Sequence, residues 1–225
     1  MANPLSIIVP VLDEAGCVAA SLDALAPLRA RGHELIVVDG GSRDNTLALS
    51  QARADIVLEV PRGRARQMNA GAARAHGSVL LFLHADTSLP AEADAAIARA
   101  VAGGALWGRF DVKIEGRSRW FPLIAALMNR RSRWSGVATG DQAMFVERAL
   151  FERIGGFTDQ PLMEDIELSR RLRRIGRPAC LRERVLTSGR RWEQNGVWRT
   201  ILLMWRLRWR YWRGTPPELL AKAYR

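Results

Sequence analysis

Four short runs rich in aliphatic and β-branched residues, Leu5 to Val9, Glu34 to Val38, Asp55 to Glu59 and Val79 to Leu83, alternate with segments of helical periodicity. This order demands an α/β fold: a mostly parallel central sheet, right-handed crossovers and helices on both faces. The first helical segment runs from Ala15 to Arg31, with Val18, Leu22, Leu25 and Leu28 on one face and Gly32 at its end. A second, about ten residues long, starts at Asp44, whose side chain suits an N-cap. Ala65 to Ala75 is a third, closed by Gly77, and Pro90 opens a fourth. Pro10 is expected to stop the first strand.

After Gly103 the rhythm changes. Ala105 to Ile114 alternates loosely, as a strand exposed on one side would, and Gln142 to Val146 reads as another strand. Glu147 to Ile154 and Met163 to Ile175 read as helices, and Trp120 to Met128 is an apolar patch between basic flanks. From Trp192 the composition turns to tryptophan and arginine, which divides the chain into a main unit, 1–191, and a tail, 192–225.

A chain of 225 residues can bury a proper core. Its net charge of +11, mostly from arginine, calls for anionic partners: nucleic acid, an acidic membrane face or phosphorylated small molecules. Cys17 and Cys180 are far apart and lack metal-site spacing, so they read as ordinary thiols in a reducing compartment. Residues 1–16 have no basic leader, and no run approaches the roughly 20 apolar residues that span a bilayer. The expected location is the cytoplasm.

Chemistry concentrates where the strands end. Asp39 opens the stretch Asp39-Gly-Gly-Ser-Arg-Asp-Asn-Thr46 directly after the second strand, where open α/β sheets bind nucleotides. It reads equally as a ribose-binding carboxylate and as a turn residue. The first strand leads into Pro10-Val-Leu-Asp-Glu14 rather than a GxGxxG turn, which disfavours a nicotinamide dehydrogenase. Leu83-His-Ala-Asp86 puts His84 and Asp86 at the fourth strand end, where both could turn toward one cation; a hydrogen-bonded turn histidine is the competing reading of His84. Arg62 to Asn69 sets arginines at a helix start that suits phosphate, or simply a solvated basic face. Glu164 and Asp165 begin a helix, where the macrodipole favours acids and where a carboxylate could also take a proton. Thr139-Gly-Asp-Gln142 adds a loop carboxylate that either shapes a site or makes a turn.

Together these residues resemble family 2 glycosyltransferases of the GT-A fold, a Rossmann-like nucleotide-diphospho-sugar transferase fold, over roughly the first 190 positions. Pro10-Val-Leu-Asp-Glu14 matches the family's opening Pro-x-x-(Asn/Asp)-Glu element, and Asp39 to Thr46 its nucleotide-contacting motif. His84-Ala85-Asp86 stands in place of the Asp-x-Asp metal element, and Glu164-Asp165 matches the Glu-Asp pair whose aspartate is the base. Ser188-Gly-Arg-Arg-Trp192 is similar to a Gln-x-x-Arg-Trp element. Within the family the chain is most similar to a small bacterial group named rSAM/selenodomain-associated transferase 2. Two positions depart: His84 replaces an aspartate, and Leu12 stands where an aromatic residue often stacks on the base.

The resemblance implies an inverting hexosyltransferase that uses a UDP-, GDP- or dTDP-sugar and an acceptor hydroxyl, in some cases lipid-linked. Pro10, Leu12, Glu14, Asp39, His84, Ala85 and Asp86 would contact the donor, with Arg66 or Arg191 as counter-charge. Asp86 and His84 would hold Mn2+ or Mg2+, and Asp165, beside Glu164, would be the catalytic base.

In the tail, Trp198, Trp205, Trp209 and Trp212 recur on one helical face, each followed by an arginine. Such an amphipathic helix suits the inner face of an anionic membrane, or packing on its own domain, or a homodimer interface. The rivals to the enzyme reading are a nucleotidyltransferase, whose glycine-rich first loop is missing here, and a non-catalytic protein of the same fold that binds nucleic acid or an anionic surface. Specific nucleic-acid recognition is not expected.

Overall fold

The computed structural model describes residues 4–224. Its first half comprises β1 (Leu5–Val11), α1 (Val18–Asp23), α2 (Ala26–Ala30), β2 (Glu34–Asp39), α3 (Thr46–Gln51), β3 (Ile56–Glu59), α4 (Arg64–Arg74) and β4 (Val79–Phe82). Then come β5 (Thr87–Ser88), α5 (Ala93–Ala102), β6 (Trp107–Glu115), α6 (Phe121–Ser135), a single 3-10 turn (Gly140–Gln142), β7 (Met144–Glu147), α7 (Arg148–Arg153) and α8 (Glu164–Ile175). β8 (Ala179–Ser188), α9 (Arg190–Asn195), α10 (Val197–Trp212) and α11 (Pro217–Tyr224) complete the chain.

One eight-stranded sheet runs in the order β3-β2-β1-β4-β7-β6-β8-β5. β3, β2, β1 and β4 are mutually parallel, β7 is antiparallel to both neighbours, and β6 and β8 are parallel again. The strand order reverses at β1, whose register runs to Val11↔Asp39 on one side but only to Ile8↔Phe82 on the other. The last residues of β1 therefore border a crevice at the carboxyl edge, where such sheets bind ligands.

Residue alternation builds the core on both faces. Leu5, Ile7, Val9 and Val11 of β1 join Leu35, Val37, Val79 and Leu81 in one cluster. Ile8, Ile36, Val38, Leu80 and Phe82 point the opposite way and meet α4, Phe151 and Phe157. Period-2 alternation with both faces apolar is what a doubly covered sheet requires.

Several boundaries differ from the sequence reading, each for a physical reason. Pro10 does not end β1: it pairs with Val38 in the β2 ladder, and its missing N–H lies on the side where β4 has already stopped. The 15–31 segment forms two short helices rather than one, broken just before Pro27, although Val18, Leu22, Leu25 and Leu28 are all buried as the spacing predicts. The helix expected at Asp44 begins at Thr46, and the one expected at Pro90 at Ala93. The strand expected over Ala105 to Ile114 is not half exposed: Trp107 to Val112 of β6 are buried without a break. Gln142 belongs to the 3-10 turn, and its strand begins at Met144.

The polar edge of α5 is fastened to β2 by Asp94, which accepts hydrogen bonds from Arg31 Nε at 2.7 Å and His33 Nε2 at 3.1 Å. Burial pushes the Asp94 carboxyl up, but these donors outweigh it and bring it from 3.8 down to about 2. A carboxylate depressed in the folded state contributes stability above its unfolded value, about 4, which is lost as the pH falls toward 2. Asp94→Asn should lower the melting temperature at neutral pH and flatten the acid limb of the stability curve. Superimposable melting curves for the two proteins from about pH 5 to 2 would show that the contact contributes nothing.

Candidate active site

The loop after β1 is held by side chains of the Asp39–Thr46 stretch. Ser42 Oγ accepts from the Asp13 N–H at 2.9 Å, Thr46 Oγ1 from the Glu14 N–H at 2.8 Å and Asp44 Oδ2 from the Ala15 N–H at 3.1 Å. In return, Asp13 Oδ1 accepts from the Arg43 N–H at 2.8 Å. Asp39 is buried, and its carboxylate accepts from the Gly41 and Ser42 N–H groups at 3.0 and 2.8 Å and from the Ser42 hydroxyl. Gln67 of α4 reaches under this rim, donating to the Val11 and Val38 carbonyls at 2.8 Å each. Asp13, at φ 53°, takes a left-handed conformation that costs a non-glycine residue on the order of a kcal/mol, which this network offsets.

A cavity of about 580 Å³ opens beside that rim. Pro10, Glu14, His84, Ala85, Asp86 and Arg191 line it, so six of the residues singled out in the sequence share one space. Arg64, Arg131 and Asp141 share the lining, and α10 and α11 contribute Thr200, Met204, Arg208 and Tyr224. Its remaining wall is apolar, including Ile114, Ile124, Leu127 and Met128. A second depression of about 480 Å³, between Glu115 and Gln194, includes neither Asp39 nor Asp86.

Five singled-out residues are not on the cavity lining. Leu12 lies beyond the end of β1, and Asp39 is occupied with its own turn. Arg66 pairs with Asp159 at 2.9 Å on the surface, whereas Arg64, half a turn earlier, enters the cavity. Glu164 and Asp165 start α8 just behind the lining, after Met163, a buried residue with φ 66°. Asp165 Oδ2 accepts from the Gly140 N–H at 2.9 Å, tying α8 to the turn that presents Asp141.

The charges form an alternating set. His84 Nδ1 lies 3.4 Å from Asp141 Oδ1. Burial pushes the Asp141 carboxyl up, but the His84 hydrogen bond and the charges of His84, Arg64 and Arg208 hold it below the usual carboxylate range. The Asp141 and Arg64 side chains line the cavity and are 46% and 54% exposed. Glu164, 3.8 Å from Arg64, is shifted up by burial and by the adjacent Asp165 charge. Among the described residues no three His, Cys, Asp or Glu side chains converge as a cation cage. Asp86 and His84 both line the cavity, and a cation held by so few side chains would complete its shell with phosphate oxygens and water, as magnesium-type ions do. Cys17 hydrogen-bonds Glu14 and is pushed up to about 12 by burial, that bond and the Glu14 charge, which makes it an inert thiol.

The sheet order, the crevice at β1 and the acidic loops around it define a GT-A nucleotide-diphospho-sugar transferase fold. Residues 6–158 match the family model described as glycosyl transferase family 2, and the chain belongs to that family. It is 34% identical over 178 residues to a PGL/p-HBAD biosynthesis glycosyltransferase of Mycobacterium tuberculosis, a match covering 70% of this chain and 64% of that protein. Its Mycobacterium bovis counterpart matches to the same extent, so the chain spans under two thirds of the length of these relatives. Among solved structures, the mannosyltransferase PcManGT of Pyrobaculum calidifontis, in complex with GDP-Man and Mn2+, superposes with a TM-score of 0.63 at 20% identity, over 81% of this chain and 56% of that one. S. aureus TarS 1-349 with UDP-GlcNAc gives 0.65 at 17% identity, over 82% and 58%.

Proposed function

We propose that the chain is an inverting hexosyltransferase that moves a sugar from a nucleoside-diphosphate donor to an acceptor hydroxyl, with Asp165 as the base. The observation that carries this reading is one cavity at the carboxyl edge of β1 and β4 lined by Pro10, Glu14, Asp86 and Asp141, with Asp165 bonded to the Gly140 turn just behind it. GDP-Man and UDP-GlcNAc in the structural neighbours support a nucleotide-sugar donor of the UDP, GDP or dTDP type.

In this reading the base and ribose lie along the β1–β2 rim, at Pro10, Leu12, Glu14 and Asp39, and the diphosphate extends past Ala85 and Asp86. Arg191 lines the same space and supplies counter-charge, with Arg64 in the place for which Arg66 also stands as a candidate. Mn2+ or Mg2+, held by Asp86 and His84, would neutralise charge on the departing diphosphate. The acceptor oxygen attacks the anomeric carbon from the face opposite the phosphate, forming the new glycosidic bond as the carbon–phosphate-oxygen bond breaks. Its proton passes to the Asp165 carboxylate, and the nucleoside diphosphate leaves. The neighbouring Glu164, shifted up by burial and by the Asp165 charge, stands 3.8 Å from Arg64.

The tail supports a second element of the proposal, peripheral attachment to an anionic membrane on its cytoplasmic side. Residues 1–191 then form the transferase unit and 192–225 the roof and anchor. Leu207 and Leu220 are buried against Met163 and Ile166, while Trp198, Trp205, Trp209 and Trp212 on the opposite face are 58–69% exposed. Arg199, Arg206 and Arg213 are exposed alongside them, and each cation near an anionic surface adds about 1 kcal/mol. No described helix is long and apolar enough to cross a bilayer.

Asp86→Ala should abolish the manganese-dependent part of nucleotide affinity in calorimetry; an unchanged manganese dependence would remove Asp86 from the site. Asp165→Asn should keep donor binding and lose roughly 10²–10⁴-fold in transfer rate, and near-normal turnover would rule the base out. Trp209→Ala/Trp212→Ala should reduce flotation with anionic vesicles without lowering the melting temperature. Equal flotation of variant and parent would show that this face is not the anchor.

A further inference from the structure

Among the described residues, only three buried side-chain nitrogen or oxygen atoms lack a hydrogen-bond partner: Nε and Nη2 of Arg131 and Nε of Arg208. Arg131 comes from α6 and Arg208 from α10, and both line the cavity. Neither takes part in an ion pair among the described residues, although Asp141 and Asp165 act on both through space. Burial and the like charge of Arg208 draw the Arg131 guanidinium down to about 10, and burial lowers Arg208 as well. Arginine keeps its proton in proteins, so the cavity carries two cations with no direct ion-pair partner among the described residues.

The neighbouring Arg109 shows how this chain satisfies an arginine that serves only packing. It is fully buried, pairs with Asp111, and donates to Ser132 Oγ and the Asn129 carbonyl at 3.1 Å each. Arg131 and Arg208 have no such partners and are aimed at the cavity instead. A planar guanidinium fork with free N–H groups suits phosphate oxygens.

The wall beside them has the opposite character. Ile124, Leu127 and Met128 of α6 face Ile201, Met204 and Trp205 of α10 across the same space. Leu127 and Trp205 are also 56% and 67% exposed, so the apolar lining continues from the cavity to the outer surface between the two helices. A ligand that fills this half of the cavity needs an anionic head and an apolar chain that leaves through the gap.

Building on the sugar-transfer reading, we propose that Arg131 and Arg208 bind the phosphate of the acceptor, an amphiphile whose apolar chain runs out between α6 and α10. The donor's diphosphate lies on the other side, against Asp86 and Arg191. Both arginines line the cavity with Asp141, whose turn is bonded to Asp165 through the Gly140 N–H, so an acceptor head held there lies on the side of the proposed base.

The test is calorimetric titration of the full chain with n-decyl phosphate below its micelle concentration, with n-decanol and inorganic phosphate as separate arms, and with UDP and GDP in parallel. Decyl phosphate should bind at least roughly tenfold more tightly than either fragment, and Arg131→Gln and Arg208→Gln should each weaken it by roughly tenfold. Both variants should bind UDP or GDP as the parent does and melt at the same temperature or higher, because an unpaired buried charge has been removed. Decyl phosphate no tighter than decanol overturns the anion site, and no tighter than inorganic phosphate overturns the apolar channel. An equal loss of UDP or GDP affinity in the variants assigns the arginines to the donor, and a marked drop in melting temperature assigns them to folding. If the parent binds decyl phosphate through both arginines but no nucleotide, the phosphate site stands and the donor reading falls.

Discussion

The free carboxyl end of β1 is the constraint on which the site rests. β1 outruns β4, so the backbone after Val11 loses its ladder partner on one side, and N–H groups left there without partners would be costly. Ser42, Asp44 and Thr46 accept those hydrogen bonds, and Gln67 bridges the last carbonyls of β1 and β2 from below. A loop that would otherwise wander becomes a fixed rim. The motif residues thus shape the pocket mainly by holding backbone, and Asp39 itself is largely consumed in that task.

A rigid rim allows the opposite wall to be costly. Three left-handed non-glycine residues, Asp13, Ala143 and Met163, lie in the loops around the cavity, and Met163 directly precedes the Glu164–Asp165 pair. Strain of this kind persists only where surrounding contacts over-determine the backbone. The Asp165–Gly140 hydrogen bond and the packing of Met163 against Leu207 and Leu220 provide those contacts. The tail is therefore part of the pocket's construction as well as an exposed surface, and its two faces answer to different neighbours.

Local physics made the parallel half legible. β1, β2 and β4 are buried on both faces, so their runs are continuously apolar and stand out, and the carboxylates at their ends follow from position. β8 escaped notice because it lies almost at the sheet edge, covered on its outer side only by the two-residue β5. One face of it is wet, and its arginines and glutamate hide the alternation of Val185 and Thr187. Arg64 and Arg66 show the same limit at finer grain. Both begin α4, and only the helix phase decides that one enters the cavity while the other meets Asp159. Arg131 gave no signal at all, being one of several basic residues that flank an apolar patch.

The amino-acid order by itself determined the strand–helix alternation, the chain reversal after each strand and the acidic residues at the strand ends, because each depends on a few neighbouring side chains. It also determined the tryptophan–arginine stripe, since helical spacing alone aligns those residues. Only the tertiary structure decided that α10 and α11 fold back over the carboxyl edge, that Asp141 faces His84, and that two arginines 77 positions apart (Arg131 to Arg208) line one cavity. Those outcomes depend on the crossing of distant helices, and no local pattern fixes which side of a helix a long charged chain will present to a space formed by others.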